Sequence, residues 1–401
     1  MNPSLYDTTQ NKNNSNAPFT HIKNPIPVTW LEISKSAFLH NIMSFKNLIG
    51  KDKFLGVVIK SNAYGHGMIS IAKICEETPA VDWLLVSHVH EAIELREAGI
   101  TKRILLISPA RASLFAAAFY DCDIMVTDQD VLTQLNAIGN ELQKKISIHL
   151  KVDTGLSRFG FTPQDIMPLI KHIKTMSCIT LAGIYTHFSE SNNSDLTFTH
   201  EQNNTFNNIL IALEQEGIMI PFRHHSNTAG ITAIENDRIN LYRLGAGAYG
   251  IWPSEQNRHL THEQQPTLHL LPVLSWKTKI IHIKKIPAGS FVGYNRTYQT
   301  TKETTIAILP IGYYDGYDKR LSNRGLVRIK DQNAPIIGTI AMNATTIDIS
   351  HIPNVQLDET VTLLGPHPQI SAADLANQTG CFNTRQITVQ IHASVPRIVI
   401  E

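Results

Sequence analysis

The sequence predicts an α/β protein, a (β/α)8 barrel followed by a smaller, mostly β domain. Three observations carry that expectation. Eight short apolar runs recur between residues 54 and 245, with helix-like segments between them. After Pro253 the alternation gives way to short runs separated by turns. The polar residues of the first part fall at or just after the ends of the apolar runs, where a parallel barrel places its catalytic groups.

The elements follow in order. The first 25 residues are polar and Asn-rich and lack the apolar core of a signal peptide, so a disordered extension is expected there. The eight apolar runs are residues 54–59, 83–87, 104–108, 124–127, 146–152, 180–187, 222–226 and 240–245. Between them lie amphipathic stretches such as E-A-I-E-L-R-E-A at 91–98 and the segment 202–216. Strands alternating with helices imply parallel pairing, and eight such units suggest a closed TIM barrel of about 200–250 residues. Residues 254–270, polar with prolines and histidines, read as a linker or excursion. Beyond them come alternating runs at 274–283, 305–309, 325–329, 334–341, 345–349, 360–364 and 396–400, which predict a β-rich domain. Residues 371–378 open on a serine and suit a short capped helix. The expected division is an extension over 1–25, a barrel over 26–265 and a β domain over 266–401.

Composition narrows the function. A chain of 401 residues with 42% hydrophobic and 17% charged residues is ordinary for a globular protein. A formal net charge of +1 gives no electrostatic argument for nucleic acid or an anionic membrane, and no run is long and apolar enough to span a bilayer. The four cysteines, Cys75, Cys122, Cys178 and Cys381, form no C-x-x-C pair and suit a reducing compartment, so a cytoplasmic protein is expected. The 18 histidines include His88, His90, His224 and His225 in strand-like runs, and none falls in a metal-ligand pattern, so no metal site is expected.

The most informative string is V-V-I-K-S-N-A-Y-G-H-G at 57–67, in which an apolar run ends on Lys60 and a polar turn follows at once. An amine held at the mouth of an apolar strand loses its proton more readily than one in water, which lets it attack an aldehyde. Other polar residues take the same position on later runs. Lys151 and Arg158 lie at and after the fifth, His187 closes the sixth, Asn227 and Thr228 follow the seventh, and Arg243, Gly245 and Ala246 mark the eighth. Phosphate sites in such barrels follow strands seven and eight, where Thr228 offers a hydroxyl and Gly245 allows close backbone approach. Each has a bland explanation alone: a solvated lysine, a core histidine, a glycine at a bulge. Their convergence on one end of one barrel does not.

Together with W-L-E-I-S-K-S-A-F-L-H-N at 30–41, E-A-I-E-L-R-E-A-G, K-V-D-T-G, Y-T-H-F, R-L-G-A-G-A-Y-G, G-Y-N-R-T-Y, I-G-Y-Y-D-G-Y and V-P-R, these strings resemble the alanine racemase family over almost the whole chain. The resemblance implies that Lys60 carries pyridoxal 5'-phosphate as a Schiff base and serves as one of two bases. Tyr64, Thr228 and Gly245 would hold the phosphate, Arg243 would face the pyridine nitrogen, and Arg158 would grip the substrate carboxylate. Lys151 would match the family's carbamylated lysine. Tyr294 would be the second base, supplied with the substrate-facing Tyr313 and Met342 by the other subunit of a homodimer, and His187 would link Tyr294 to Arg243. The strand near residues 30–33 would pack with the C-terminal domain. The implied activity is interconversion of L- and D-alanine, feeding peptidoglycan synthesis.

Two positions depart from the family pattern. Ala341-Met342-Asn343 stands where C-M-D is usual, and Arg385-Gln386 where Y-E is usual. Arg385 keeps a donor for the phosphate but removes an aromatic wall, which leaves racemases of serine or a broader set of amino acids as an alternative. A non-catalytic carrier built on the barrel alone would lack the segment with Tyr294. A decarboxylase of the same fold does not fit G-Y-N-R-T-Y and I-G-Y-Y-D-G-Y.

Overall fold

A computed structural model describes residues 27–381 and 383–401. The extension expected over 1–25 lies outside them. The eight barrel strands are β2 (Phe54–Val58), β3 (Trp83–Val86), β4 (Arg103–Leu106), β5 (Cys122–Val126), β6 (Ile146–Lys151), β7 (Ile179–Tyr185), β8 (Phe222–His224) and β9 (Leu241–Leu244), preceded by β1 (Thr29–Ser34). They pair in parallel in the order β8-β7-β6-β5-β4-β3-β2-β9. No strand ladder joins β8 to β9, but Asn240 N–H donates to the Arg223 carbonyl at 3.1 Å and Arg243 N–H to that of Ser226 at 3.2 Å, which closes the ring.

These strands are legible because both their faces are covered, so they read as continuous apolar runs. Val58, Trp83, Leu85, Leu105 and Leu241 form a buried cluster of their own. Arg103 lies over the Trp83 ring at 4.0 Å, with Phe222 packed edge-on to the indole at 4.9 Å. The larger core runs from the strands and their helices on into the C-terminal part, through residues such as Ala307, Ile347 and Val361. No helix among the described residues is long and apolar enough to cross a membrane.

In the C-terminal part, β10 (Leu274–Lys279), β15 (Leu326–Ile329), β16 (Gln332–Pro335), β18 (Thr360–Leu364) and β19 (Arg397–Ile400) join β1 in a six-stranded sheet ordered β16-β15-β18-β10-β1-β19. The first strand therefore does belong with this sheet, antiparallel to β10 and parallel to β19. A second sheet, β11-β14-β17, contains β11 (His282–Ile286), β14 (Thr304–Leu309) and β17 (Thr345–Asp348). The short pair β12 (Phe291–Val292) and β13 (Tyr298–Gln299) flanks Tyr294.

Several expectations need correction. The run 274–283 is two strands in different sheets, β10 and β11. The run 334–341 ends as a strand at Pro335, and the chain bends at Gly338, whose φ is +76°. Residues 254–270 contain a helix, Glu255–Gln264, capped by Ser254 Oγ accepting from Asn257 N–H at 3.0 Å. His88 and His90 are not in a strand: His88 caps the helix Val89–Glu97 and His90 lies within it. The helix expected at 371–378 spans Ala372–Thr379, with Ser371 as its cap, and a further helix, Thr384–Val389, carries Arg385.

Candidate active site

Lys60 sits immediately beyond β2, half-buried. Burial lowers its pKa, Arg158 adds to that effect, and Glu91 opposes it. The next four residues, Ser61, Asn62, Ala63 and Tyr64, have φ between 52° and 54°, a full turn of left-handed helix without a glycine. Such a conformation costs about 1–2 kcal/mol per residue and persists only where neighbours enforce it. Gly65 ends the turn at φ +87°, and a Cβ there would lie 2.0 Å from the Thr388 carbonyl oxygen, so only glycine permits this approach of the C-terminal helix.

The loop after β6 is shaped by Asp153, which accepts from the N–H groups of Gly155, Ser157 and Arg158 at 2.9–3.1 Å. That pins the turn that presents Arg158. Lys151 is buried, and its amine donates to the Val152 carbonyl at 2.9 Å. Burial, with the Arg243 charge added, lowers its pKa to about 7. Near neutrality a large share of it is therefore the free amine.

Arg243 is held in a polar web inside the barrel mouth. Its guanidinium donates to His224 Nδ1 at 2.8 Å, to His187 Nδ1 at 3.1 Å, and to the carbonyls of Thr186 and His225 at 3.0 Å each. Arginine has no acceptor, so both imidazoles receive at Nδ1 and carry their hydrogen on Nε2. His224 Nε2 then donates to His149 Nδ1 at 2.8 Å. Burial and the Arg243 charge hold His187 and His224 well below the usual histidine range, in keeping with neutral rings. Burial also draws Arg243 down to about 10, which leaves it protonated at neutral pH.

Opposite lies a tight backbone corner. Thr228 Oγ accepts from Gly245 N–H at 3.1 Å and Gly247 N–H at 3.2 Å. A Cβ on Gly245 would stand 2.9 Å from Tyr64 Oη, so glycine keeps a space open beside Tyr64 and Thr228. Asn227 directs its side-chain oxygen to Gly230 N–H at 2.9 Å, as the cap of helix Thr228–Ala233.

One cavity of about 310 Å³ gathers Lys60, Tyr64, Lys151, Arg158, His187, Asn227, Thr228, Arg243, Gly245, Ala246 and Arg385. All the barrel residues anticipated from sequence are thus brought together, and Arg385 joins them from the C-terminal part. Tyr294, Tyr313 and Met342 are not in it: they stand on the C-terminal domain, 70%, 43% and 53% exposed. They are nonetheless grouped with one another around residues 339–342. The Tyr294 carbonyl accepts from Thr339 Oγ at 3.1 Å, and Tyr313 N–H donates to the Ala341 carbonyl at 3.1 Å.

Residues 33–253 match the family model of the alanine racemase N-terminal domain, and residues 273–399 that of the C-terminal domain. The chain belongs to the alanine racemase family. An alanine racemase of Methanococcus maripaludis is 36% identical over 375 residues, covering 92% of this chain and 98% of that protein. One from Halothermothrix orenii is 34% identical over 372 residues, with 92% and 96% covered. Among solved structures, the alanine racemase of Clostridium difficile 630 superposes with a TM-score of 0.87 at 30% identity, covering 94% of this chain and 97% of that one. That of Bacillus anthracis with bound L-Ala-P gives 0.83 at 30% identity, with 94% and 96% covered.

Three residues around this cavity were not singled out from the sequence strings noted above. Tyr185 lines it, with its ring stacked on His224 at 4.5 Å and its hydroxyl buried without a protein partner. Asp153 shapes the Arg158 turn. Glu91 bonds the amide beside Lys60. Tyr185 and Asp153 lie inside the strings Y-T-H-F and K-V-D-T-G, which is the signal that pointed near them.

Proposed function

We propose that the protein interconverts L- and D-alanine with pyridoxal 5'-phosphate held at Lys60. It works as a homodimer in the cytoplasm, and its D-alanine serves peptidoglycan synthesis. The observation that carries this reading is the meeting of Lys60, Tyr64, Arg158, Thr228, Arg243 and Gly245 around one cavity. The residues fit the cofactor. The space beside Gly245 is one that a Cβ would fill, the Tyr185 hydroxyl is buried in the wall without a protein partner, and the volume of about 310 Å³ suits a small ligand.

Lys60 would hold the aldehyde carbon. Tyr64, Thr228, Gly245 and Ala246, with the backbone at Asn227, would hold the phosphate, and Arg385 would add a charged donor. Bound there, the cofactor supplies the electron withdrawal that acidifies the substrate Cα–H. Lys60, its pKa lowered by burial, takes or returns that proton on the face used by the D-enantiomer. Tyr294 of the second subunit does so on the other face. Arg243, a donor that stays protonated, would face the ring nitrogen and give it no proton, which would favour return of the proton to Cα. Arg158 binds the substrate carboxylate. The free amine of Lys151 adds to carbon dioxide to give a carbamate and a proton, and the new anion orients Arg158.

The test is racemisation of L-alanine by purified protein, read by chiral chromatography, with borohydride reduction and peptide mapping beside it. Pyridoxyl on Lys60 is expected. A label on another lysine would overturn the assignment.

A second reading, racemisation of serine, is favoured by Arg385. Its Nε donates to Asn383 Oδ1 at 2.8 Å, and the residue borders the cavity where the family pattern has an aromatic ring. Arg385→Tyr is expected to raise the preference for alanine over serine by about 1–2 kcal/mol, the scale of one small-group discrimination. An unchanged ratio of kcat/KM values would show that position 385 does not set specificity.

A further inference from the structure

Glu91 has no part in the chemistry above, yet it is only 6% exposed and lies next to Lys60 in space. It belongs to the third position of helix Val89–Glu97, which follows β3. Its two carboxylate oxygens serve different parts of the fold. Oε2 accepts from Ser87 N–H at 2.8 Å and His88 N–H at 3.0 Å, closing the start of its own helix as a capping-box glutamate does. Oε1 accepts from Ser61 N–H at 2.6 Å, across to the neighbouring strand's loop. Capping needs only the first oxygen.

The second oxygen holds the residue at which the left-handed turn begins. That turn carries Lys60 at its entrance and Tyr64 as its last residue, so its geometry sets the direction of both side chains at once. Its far end is secured by other means. Asn62 Oδ1 accepts from Met68 N–H at 2.8 Å, and Gly65 lies against the Thr388 carbonyl. At the entrance, Glu91 ties the turn to the end of β3.

We propose that Glu91 is a positioning residue for racemisation: its Oε1 fixes the left-handed turn so that Lys60 and Tyr64 face the cavity together. The inference rests on the role given to Lys60 above. A charged hydrogen bond to a strained backbone is well suited to this task, because the carboxylate satisfies an amide that the left-handed turn leaves without a helical partner.

Two variants separate positioning from capping. Glu91→Ala removes both functions. Adding His88→Ser to it restores a good cap, since His88 already has the extended backbone of that position (φ −117°, ψ 151°) and serine is a favoured cap residue. Each full-length variant is compared with wild type in thermal midpoint, in dissociation constant for pyridoxal phosphate, and in kcat and KM for L-alanine. Glu91→Ala is expected to melt lower, bind pyridoxal phosphate about tenfold more weakly and lose kcat, on the scale of one lost charged hydrogen bond. The double variant is expected to regain its melting temperature and neither of the other two. Recovery of all three would make Glu91 a helix cap and nothing more.

Should Glu91→Ala fail to fold, Glu91→Gln keeps the volume but has one acceptor oxygen where the carboxylate has two. Weakened cofactor binding and lowered kcat are expected in it, and wild-type values of both would overturn the proposal. Borohydride mapping of the wild-type protein is the control on the underlying reading. A label away from Lys60 refutes that reading, and this inference with it, whereas a label on Lys60 with unaltered variants refutes this inference alone.

Discussion

Lys60→Ala is expected to abolish racemisation in both directions, with kcat lower by at least about 10⁴-fold, while the protein keeps its fold. A positioned base contributes about 10²–10⁴-fold, and in the proposed function Lys60 is both a base and the group that anchors the cofactor aldehyde. The loss should therefore reach or pass the upper end of that range. The fold should survive because Lys60 is half-buried and the backbone around it is held by groups other than its amine. Its ammonium is also disfavoured by burial and by Arg158, so removing it relieves an electrostatic cost. Two measurements check this: chiral chromatography from L- and from D-alanine, and the thermal midpoint. Added small alkylamines should restore a little turnover by replacing the missing amine. Near-wild-type turnover, or an unfolded variant that amines do not rescue, would each contradict the account.

Much of this site was legible because barrel physics ties position to chemistry. Strands covered on both faces must be apolar throughout, so their ends could be read as the places where Lys60, Lys151, His187 and Arg243 emerge. The helix Glu255–Gln264 was missed because Leu260 is its one apolar residue, its buried residues are Asn257 and Thr261, and it carries no apolar stripe to read. The left-handed turn at Ser61–Tyr64 was illegible for another reason. Nothing in S-N-A-Y favours that conformation except the asparagine, and the turn is imposed by Glu91 and by the packing of Gly65 on Thr388. Glu91 itself was hidden among the acids of E-A-I-E-L-R-E-A, since periodicity marks a helix face but not which glutamate turns inward. The left-over trio of Tyr294, Tyr313 and Met342 shows a limit of a different kind. Sequence placed them in the site by resemblance, yet within one chain they stand on an exposed surface away from it.

That separation yields the second large effect. Neither Lys60→Ala nor Tyr294→Ala protein is expected to racemise alanine alone, but mixing them under conditions that exchange subunits should restore about a quarter of wild-type activity. The figure follows from two-fold symmetry. Random pairing of equal amounts makes about half the dimers mixed. Each mixed dimer has one site with both lesions and one with neither, if Lys60 of one subunit meets Tyr294 of the other. Milder surgery dissects the tyrosine's task. Tyr294→Phe removes the phenol and almost no volume, and with 70% of the residue exposed in the single chain its effect on folding should be small. Pyridoxal phosphate should stay bound, and proton exchange into alanine from deuterated water should fall by about 10²–10⁴-fold on the face used by the L-enantiomer, the range of one general base. Exchange from D-alanine, where Lys60 acts first, should persist. Equal rates to wild type on both faces would remove Tyr294 from the chemistry. Absence of complementation after exchange has been demonstrated by differently tagged subunits would place each site within one chain, and would then require the C-terminal domain to swing Tyr294 toward its own barrel.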